Sequence, residues 1–204
     1  MTRVKICGIT TVSDAIRVVD AGADAIGLVF AKSPRRVSLS MAKKISLAVG
    51  PWISVVGVFV DEAPSQVLRI IRECRLSAVQ LHGSESLADI KKMAGTKMIK
   101  AVHVNDAFRS ASLKKYPVDA FLFDNREGAV LGGTGKTFDW KILKKDLPDT
   151  RIIISGGLRP DTVATAVKLF HPYGVDVSSG VELRPGVKNI QLVKEFVRNA
   201  KSQL

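Results

Sequence analysis

Short, strand-like apolar runs alternate with helical patterns from one end of this chain to the other, and few folds accommodate that rhythm. The runs are Val4–Ile9, Ala25–Phe30, Ile53–Val60, Ala78–Leu81, Met98–Val104, Ala120–Phe123, Arg151–Ile154 and Gly174–Val177. Helical patterns follow them at about Ser13–Ala21, Ser40–Ala48, Pro64–Cys74, Ser86–Met93, Ala107–Lys114, Asp139–Lys145, Arg159–Phe170 and Asn189–Lys201. In the first, Ala15, Ile16, Val18 and Val19 make an apolar face, with Ser13 as N-cap and Gly22 as C-terminal stop. Such alternation predicts a parallel sheet covered by helices, and near-continuous apolar strands predict burial on both faces. Eight units close naturally on themselves, so the expected fold is α/β, a single-domain (β/α)8 TIM barrel. The rival is an open doubly wound sheet. It advertises a glycine-rich first turn, and Cys7-Gly8-Ile9-Thr10 is not GxGxxG. At 204 residues the chain is shorter than the roughly 250 typical of such barrels, so its loops must be lean. No linker or low-complexity segment divides it, and residues 1–204 are expected to form one domain.

Composition narrows the class of function. Hydrophobic residues are 46% and charged residues 25%, an ordinary globular balance that needs no metal or disulfide staple. The two cysteines, Cys7 and Cys74, show no CxxC spacing, and charges occupy the N-terminus where a secretory segment needs its apolar run. A reducing, cytoplasmic location is therefore expected. No stretch approaches the roughly 18 consecutive apolar residues of a membrane helix, so no membrane partner is expected. The net charge of +12 raises the question of nucleic acid, but Lys and Arg are spread over many segments and aromatics are only 6%. The expectation is a generally basic surface with no nucleic-acid partner, part of whose field steers an anionic small molecule to its cleft. Oligomeric state, monomer or homodimer, is not legible.

In a barrel of this kind the working residues gather at the C-terminal strand ends and the loops that follow. The first strand ends in Lys5-Ile6-Cys7-Gly8-Ile9-Thr10, where Cys7 reads either as a reactive thiol or as a buried small hydrophobe. The second runs into Ser33-Pro34-Arg35-Arg36, two arginines that hold a carboxylate or form a solvated charged loop. The fourth ends in Gln80-Leu81-His82-Gly83; alternation puts Gln80 and His82 on one face, as pocket residues or as structural hydrogen-bonders. The sixth ends at Asp124, a capping residue or a functional acid whose pKa an apolar surround would raise. Gly132-Gly133-Thr134-Gly135-Lys136-Thr137 follows, but GxxxxGK[ST] requires glycine where Val130 stands. The segment reads instead as a flexible cover in which Gly133 approaches a ligand. The last two strands end in Ser155-Gly156-Gly157-Leu158 and Ser178-Ser179-Gly180, paired small-residue loops at the recurrent phosphate site of barrel enzymes.

Taken together, these motifs resemble the phosphoribosylanthranilate isomerase family of tryptophan biosynthesis. The similarity runs in order through Lys5–Thr10, Ala23–Gly27, Ser33–Arg36, Val58–Val60, Val79–Gly83, Gly133–Trp140, Ser155–Leu158 and Asp176–Glu182. Only Asn125–Leu131 has no counterpart. The resemblance implies an Amadori rearrangement of N-(5-phosphoribosyl)anthranilate to 1-(2-carboxyphenylamino)-1-deoxyribulose 5-phosphate, with no cofactor and no metal. It puts the general base on Cys7, the general acid on Asp124, the carboxylate-holding arginine on Arg36, and phosphate on Gly156–Gly157 and Ser178–Gly180. Lys5 shares the alternation face of Cys7 and is the cation expected to help its thiol ionise. The nearest alternative is the histidine-pathway ribosylamine isomerase, which acts on a two-phosphate substrate. It tends to show a half-barrel repeat and paired aspartates, whereas here the first strand offers Cys7 and only the Gly156/Gly180 end has a phosphate loop.

Overall fold

The computed structural model describes residues 1–103, 110–124 and 149–202. Eight parallel strands close into a barrel: β1 (Arg3–Cys7), β2 (Ala25–Val29), β3 (Ser54–Phe59), β4 (Ala78–Leu81), β5 (Met98–His103), β6 (Ala120–Asp124), β7 (Arg151–Ile154) and β8 (Gly174–Val177). Each strand neighbours the next in sequence, and β8 closes on β1 with Arg3 opposite Gly174 and Lys5 opposite Asp176. The helices are α1 (Val12–Asp20), α2 (Leu39–Ala48), α3 (Pro64–Cys74), α4 (Leu87–Lys92), α5 (Val163–Phe170) and α6 (Ile190–Lys201). No described helix is long and apolar enough to cross a membrane.

Strand alternation sorts the residues into two shells. Val4, Ile6, Ile26, Leu28, Val55, Phe59, Val79, Leu81, Phe121, Phe123, Ile152, Ile154, Val175 and Val177 belong to the large core shared with the helices. The opposite parity fills the barrel: Ala101, Ala120, Leu122 and Ile153 cluster there with Ile99. Lys5, Cys7, Gly27, Gln80, Asp124 and Asp176 share that inward parity, so the barrel interior becomes polar toward the carboxyl ends of the strands.

Element ends depart from expectation where a competing local contact wins. The N-cap of α1 is Thr11, not Ser13. Thr11 is extended at φ −133° and its Oγ1 accepts from Asp14 N at 3.1 Å, which starts the helix at Val12. Gly22 stands past the end of α1 at φ +95°, as expected of a stop, but Ile16 is 42% exposed and does not belong to the buried face. The predicted helix from Arg159 begins only at Val163, because Arg159 N–H donates to Thr162 Oγ1 at 3.0 Å and closes a separate turn. The described part of the predicted 107–114 helix is a 3₁₀ turn, Ser110–Leu113, and the predicted Asp139–Lys145 helix lies outside the described residues. A hairpin of β9 (Glu182–Arg184) and β10 (Val187–Lys188) follows β8, which strand and helix periodicity did not foresee.

Thr11→Ala should lower unfolding free energy by about 1 kcal/mol through loss of the cap. Ser13→Ala should change it by less than about 0.5 kcal/mol, both read from urea midpoints.

Candidate active site

A cleft of about 820 Å³ opens at the carboxyl ends of the strands. It brings together Cys7, Arg36, Gln80, His82 and Asp124 with the loops containing Gly156, Gly157, Ser178, Ser179 and Gly180. Cys7 and Asp124 therefore face one mouth rather than opposite rims. Gly133 lies outside the described residues. Among the described residues no group of three or more His, Cys, Asp or Glu side chains is arranged to hold a metal ion.

Cys7 sits inside the barrel wall at 8% exposure. Its register partner on β2 is Gly27. A Cβ at Gly27 would stand 2.7 Å from Cys7 Sγ and 3.1 Å from Lys5 Nζ, so the missing side chain is what admits both groups. Lys5 is not free to serve the sulfur alone: its ammonium pairs with Asp176 Oδ1 at 2.9 Å, and Asp176 Oδ2 accepts from Ser155 Oγ at 3.3 Å. Burial pushes the Cys7 thiol up, Lys5 and Lys188 pull it down, Asp176 opposes them, and the net displacement is upward. The expectation that Lys5 frees a thiolate is thus offset, since Asp176 neutralises the cation and water is excluded.

The two arginines after β2 divide. The Arg35 guanidinium grips Glu182 through Nε at 2.9 Å and Nη2 at 2.6 Å, while its stem crosses Gly8, where a Cβ would meet Arg35 Cδ at 2.6 Å. This bidentate geometry uses up Arg35 within the protein. Arg36 is exposed and lines the cleft.

On the opposite wall Gln80 Nε2 lies 2.8 Å from His82 Nδ1, and His82 Nε2 lies 3.0 Å from Asp124 Oδ2. Both ring nitrogens are engaged by protein groups, which ties His82 to Asp124 more directly than to a ligand. Gln80 Oε1 is buried without a hydrogen-bond partner among the described residues. The backbone that presents His82 is clamped by Lys100, whose ammonium donates to Gly83 O at 2.6 Å and pairs with Glu85 at 2.8 Å. Glu85 in turn accepts from the Gly83 N–H at 2.9 Å. Burial would raise the Glu85 carboxyl, but the Lys100 contacts together with backbone N–H donors, Gly83 among them, hold it below its usual range.

The two glycine loops pack on each other. Gly156 and Gly157 adopt φ +84° and +67°, a left-handed conformation that glycine tolerates at no steric penalty. A Cβ on Gly180 would run into the Leu158 carbonyl. Ser178 lines the cleft, and its buried Oγ has no hydrogen-bond partner among the described residues. Residues that sequence reasoning missed are Gly27, Asp176, Glu182 and Lys188. Asp176 was accessible to the same alternation that paired Gln80 with His82, whereas Lys188 stands in a hairpin with no periodic signal.

Residues 4–199 match the family model described as N-(5′-phosphoribosyl)anthranilate (PRA) isomerase. The N-(5′-phosphoribosyl)anthranilate isomerase of Trichlorobacter lovleyi is 44% identical over 206 residues, covering 100% of both chains. Among solved structures, phosphoribosyl anthranilate isomerase from Thermus thermophilus superposes with a TM-score of 0.87 at 35% identity, covering 97% of this chain and 98% of that one. A phosphoribosyl anthranilate isomerase in complex with reduced 1-(o-carboxyphenylamino)-1-deoxyribulose 5-phosphate gives 0.83 at 37% identity, covering 98% and 99%.

Gly27→Ala should displace the Cys7 sulfur and the Lys5 ammonium together. Overpacking of this kind costs about 1–3 kcal/mol, to be read from urea unfolding, and iodoacetamide labelling of Cys7 should change in the same variant. A wild-type unfolding midpoint would contradict the crowding.

Proposed function

The chain belongs to the phosphoribosylanthranilate isomerase family, and from that premise we propose how its own residues carry the reaction. It is an isomerase that converts N-(5′-phosphoribosyl)anthranilate to 1-(2-carboxyphenylamino)-1-deoxyribulose 5-phosphate. The observation that most supports the assignment of roles is that Cys7 and Asp124 line one cleft between an exposed arginine and a pair of glycine loops.

The substrate carries an anion at each end. Its phosphate enters the mouth of the Gly156–Gly157 and Ser178–Gly180 loops, where backbone amides and the unpartnered Ser178 hydroxyl are available. Its anthranilate carboxylate meets Arg36, since Arg35 is committed to Glu182. Holding both ends fixes the sugar between the two walls and removes much of the entropy of alignment.

Asp124, in its carboxylic acid form, gives a proton to the ribose ring oxygen. The bond from that oxygen to C1 breaks while the nitrogen lone pair forms a C=N bond, leaving a protonated Schiff base. Cys7, as thiolate, takes the proton from C2. The electrons of that C–H bond form C1=C2, and the C=N π electrons return to nitrogen, giving an enol-amine. Transfer of the enol proton to C1 yields the ketone, leaving Cys7 as thiol and Asp124 as carboxylate. Loss of the sulfur proton to solvent and uptake of one by Asp124 restore the starting pair, so atoms and charge balance over the cycle, and each proton transfer supplies about 10²–10⁴-fold.

Cys7→Ser and Asp124→Asn should each lower kcat by about 10²–10⁴-fold with KM changed little, followed by loss of substrate fluorescence. Near-normal turnover from either variant would end its assignment. The base form of a raised thiol is scarce at neutral pH and grows as pH rises, so the limb of kcat/KM governed by Cys7 should climb through the neutral range. A profile with no rising limb over that range would point to a base that is already ionised, and so not to Cys7.

A further inference from the structure

The hairpin after β8 delivers a lysine to a place where packing alone would call for an apolar side chain. The Lys188 side chain is 0% exposed. An ammonium so placed is tolerated only when its donors are satisfied and its charge is paired. Lysine has three such donors, and Lys188 uses them on Cys7 O at 2.6 Å, Ser178 O at 3.2 Å and Glu182 Oε1 at 2.8 Å. Its own backbone N–H is fixed as well, donating to Asp14 Oδ2 of α1 at 3.0 Å.

Two of the three acceptors are main-chain carbonyls of the residues that bracket the reaction. One belongs to the thiol residue, the other to the first residue of the β8 loop at the phosphate end. The third, Glu182, also receives Arg35 and the Gly186 N–H. A single charged group thus ties the end of β1, the β2 loop and the β8 loop together. Its positive charge also acts on the sulfur, opposing the burial that disfavours thiolate.

We infer that Lys188 is a positioning residue of the isomerisation: it sets the Cys7 thiol at a fixed place relative to the phosphate loop and supplies charge that favours its ionisation. This rests on the reading of Cys7 as the base. A hydrophobic residue of equal length fills the same space without either effect. The role differs from that of Lys5, which stands inside the barrel against Asp176 and makes no bond to the Cys7 or Ser178 carbonyls that Lys188 holds.

The test compares wild type with Lys188→Met, Lys188→Gln and Glu182→Gln, scoring iodoacetamide alkylation of Cys7 against pH by peptide mass spectrometry, together with kcat and KM. Loss of the charge in either Lys188 variant should move the alkylation curve to higher pH and slow labelling at neutral pH about tenfold, one decade per pH unit of displacement. kcat should fall with it, more than KM rises. Glu182→Gln keeps an acceptor but removes the compensating charge, so its curve should move to lower pH. It also serves if the Lys188 variants do not fold. A purely structural lysine would change the unfolding midpoint and leave the alkylation curve in place; an unmoved curve in the folded variants overturns the inference. If Cys7→Ser retains full turnover, the base assignment fails instead, whatever Lys188 does to the sulfur.

Discussion

The register between the first and last strands is the constraint on which the site depends. Neighbouring strands lie about 4.8 Å apart, so an inward residue meets its register partner and little else. Closing β8 on β1 with Lys5 opposite Asp176 makes an ion pair inside the barrel. On its other edge β1 pairs with β2, and that ladder puts Cys7 opposite Gly27. A slip of one residue would turn Lys5 and Cys7 into the helix layer and bring Val4 and Ile6 inside. The ion pair and the vacancy beside the sulfur both follow from how β1 is set between β8 and β2, so a shift of β1 would lose both.

Three buried ammonium groups surround the cleft, and each is matched to carboxylate before any ligand arrives. Lys5 has Asp176, Lys100 has Glu85, and Lys188 has Glu182. Arg35 joins the last pair. These charges stiffen loops rather than capture anions, because a compensated cation presents little net field to a distant ligand, although Lys188 still acts on the neighbouring sulfur. In the proposed mechanism the capture of a doubly anionic substrate falls to Arg36 at one end and to the glycine loops at the other, all of which line the cleft. This division explains how two adjacent arginines acquire different tasks. Arg35 reaches Glu182 only because Gly8 leaves its stem room to cross β1.

The barrel itself was legible because its signal is periodic and repeated. Ala78–Leu81, Arg151–Ile154, Gly174–Val177 and Pro64–Cys74 agree with the structure to the residue. Helix starts were less legible, since Thr11 and Thr162 compete for nearby amides in ways that apolar periodicity does not register. Residues of the cleft that stand at strand ends, such as Cys7, Gln80 and Asp124, could be named from sequence because strand parity and position coincide there. Lys188 could not. Its environment is made by the end of β1, the β8 loop and Glu182, and a lysine in a short hairpin ordinarily points to water. Gly27 was equally silent, because a missing side chain has meaning only once Cys7 and Lys5 are known to need its space.

A resting thiol displaced upward is a poor base, and in the proposed mechanism that suits the order of events. While the sugar ring is closed there is no acidified C2 proton to take, and a standing thiolate would add a third anion to a site already receiving phosphate and carboxylate. Ring opening changes the electrostatics. The protonated Schiff base is a cation formed next to C2, and it both acidifies that carbon and attracts negative charge on Cys7. Around a sulfur only 8% exposed this attraction is stronger than in solvent, so the sulfur gains basic character at the step that requires it. Asp124 acting first is then a condition for Cys7 acting at all. The alignment of β1 with β8 and the ammonium of Lys188 hold the sulfur in place for that moment.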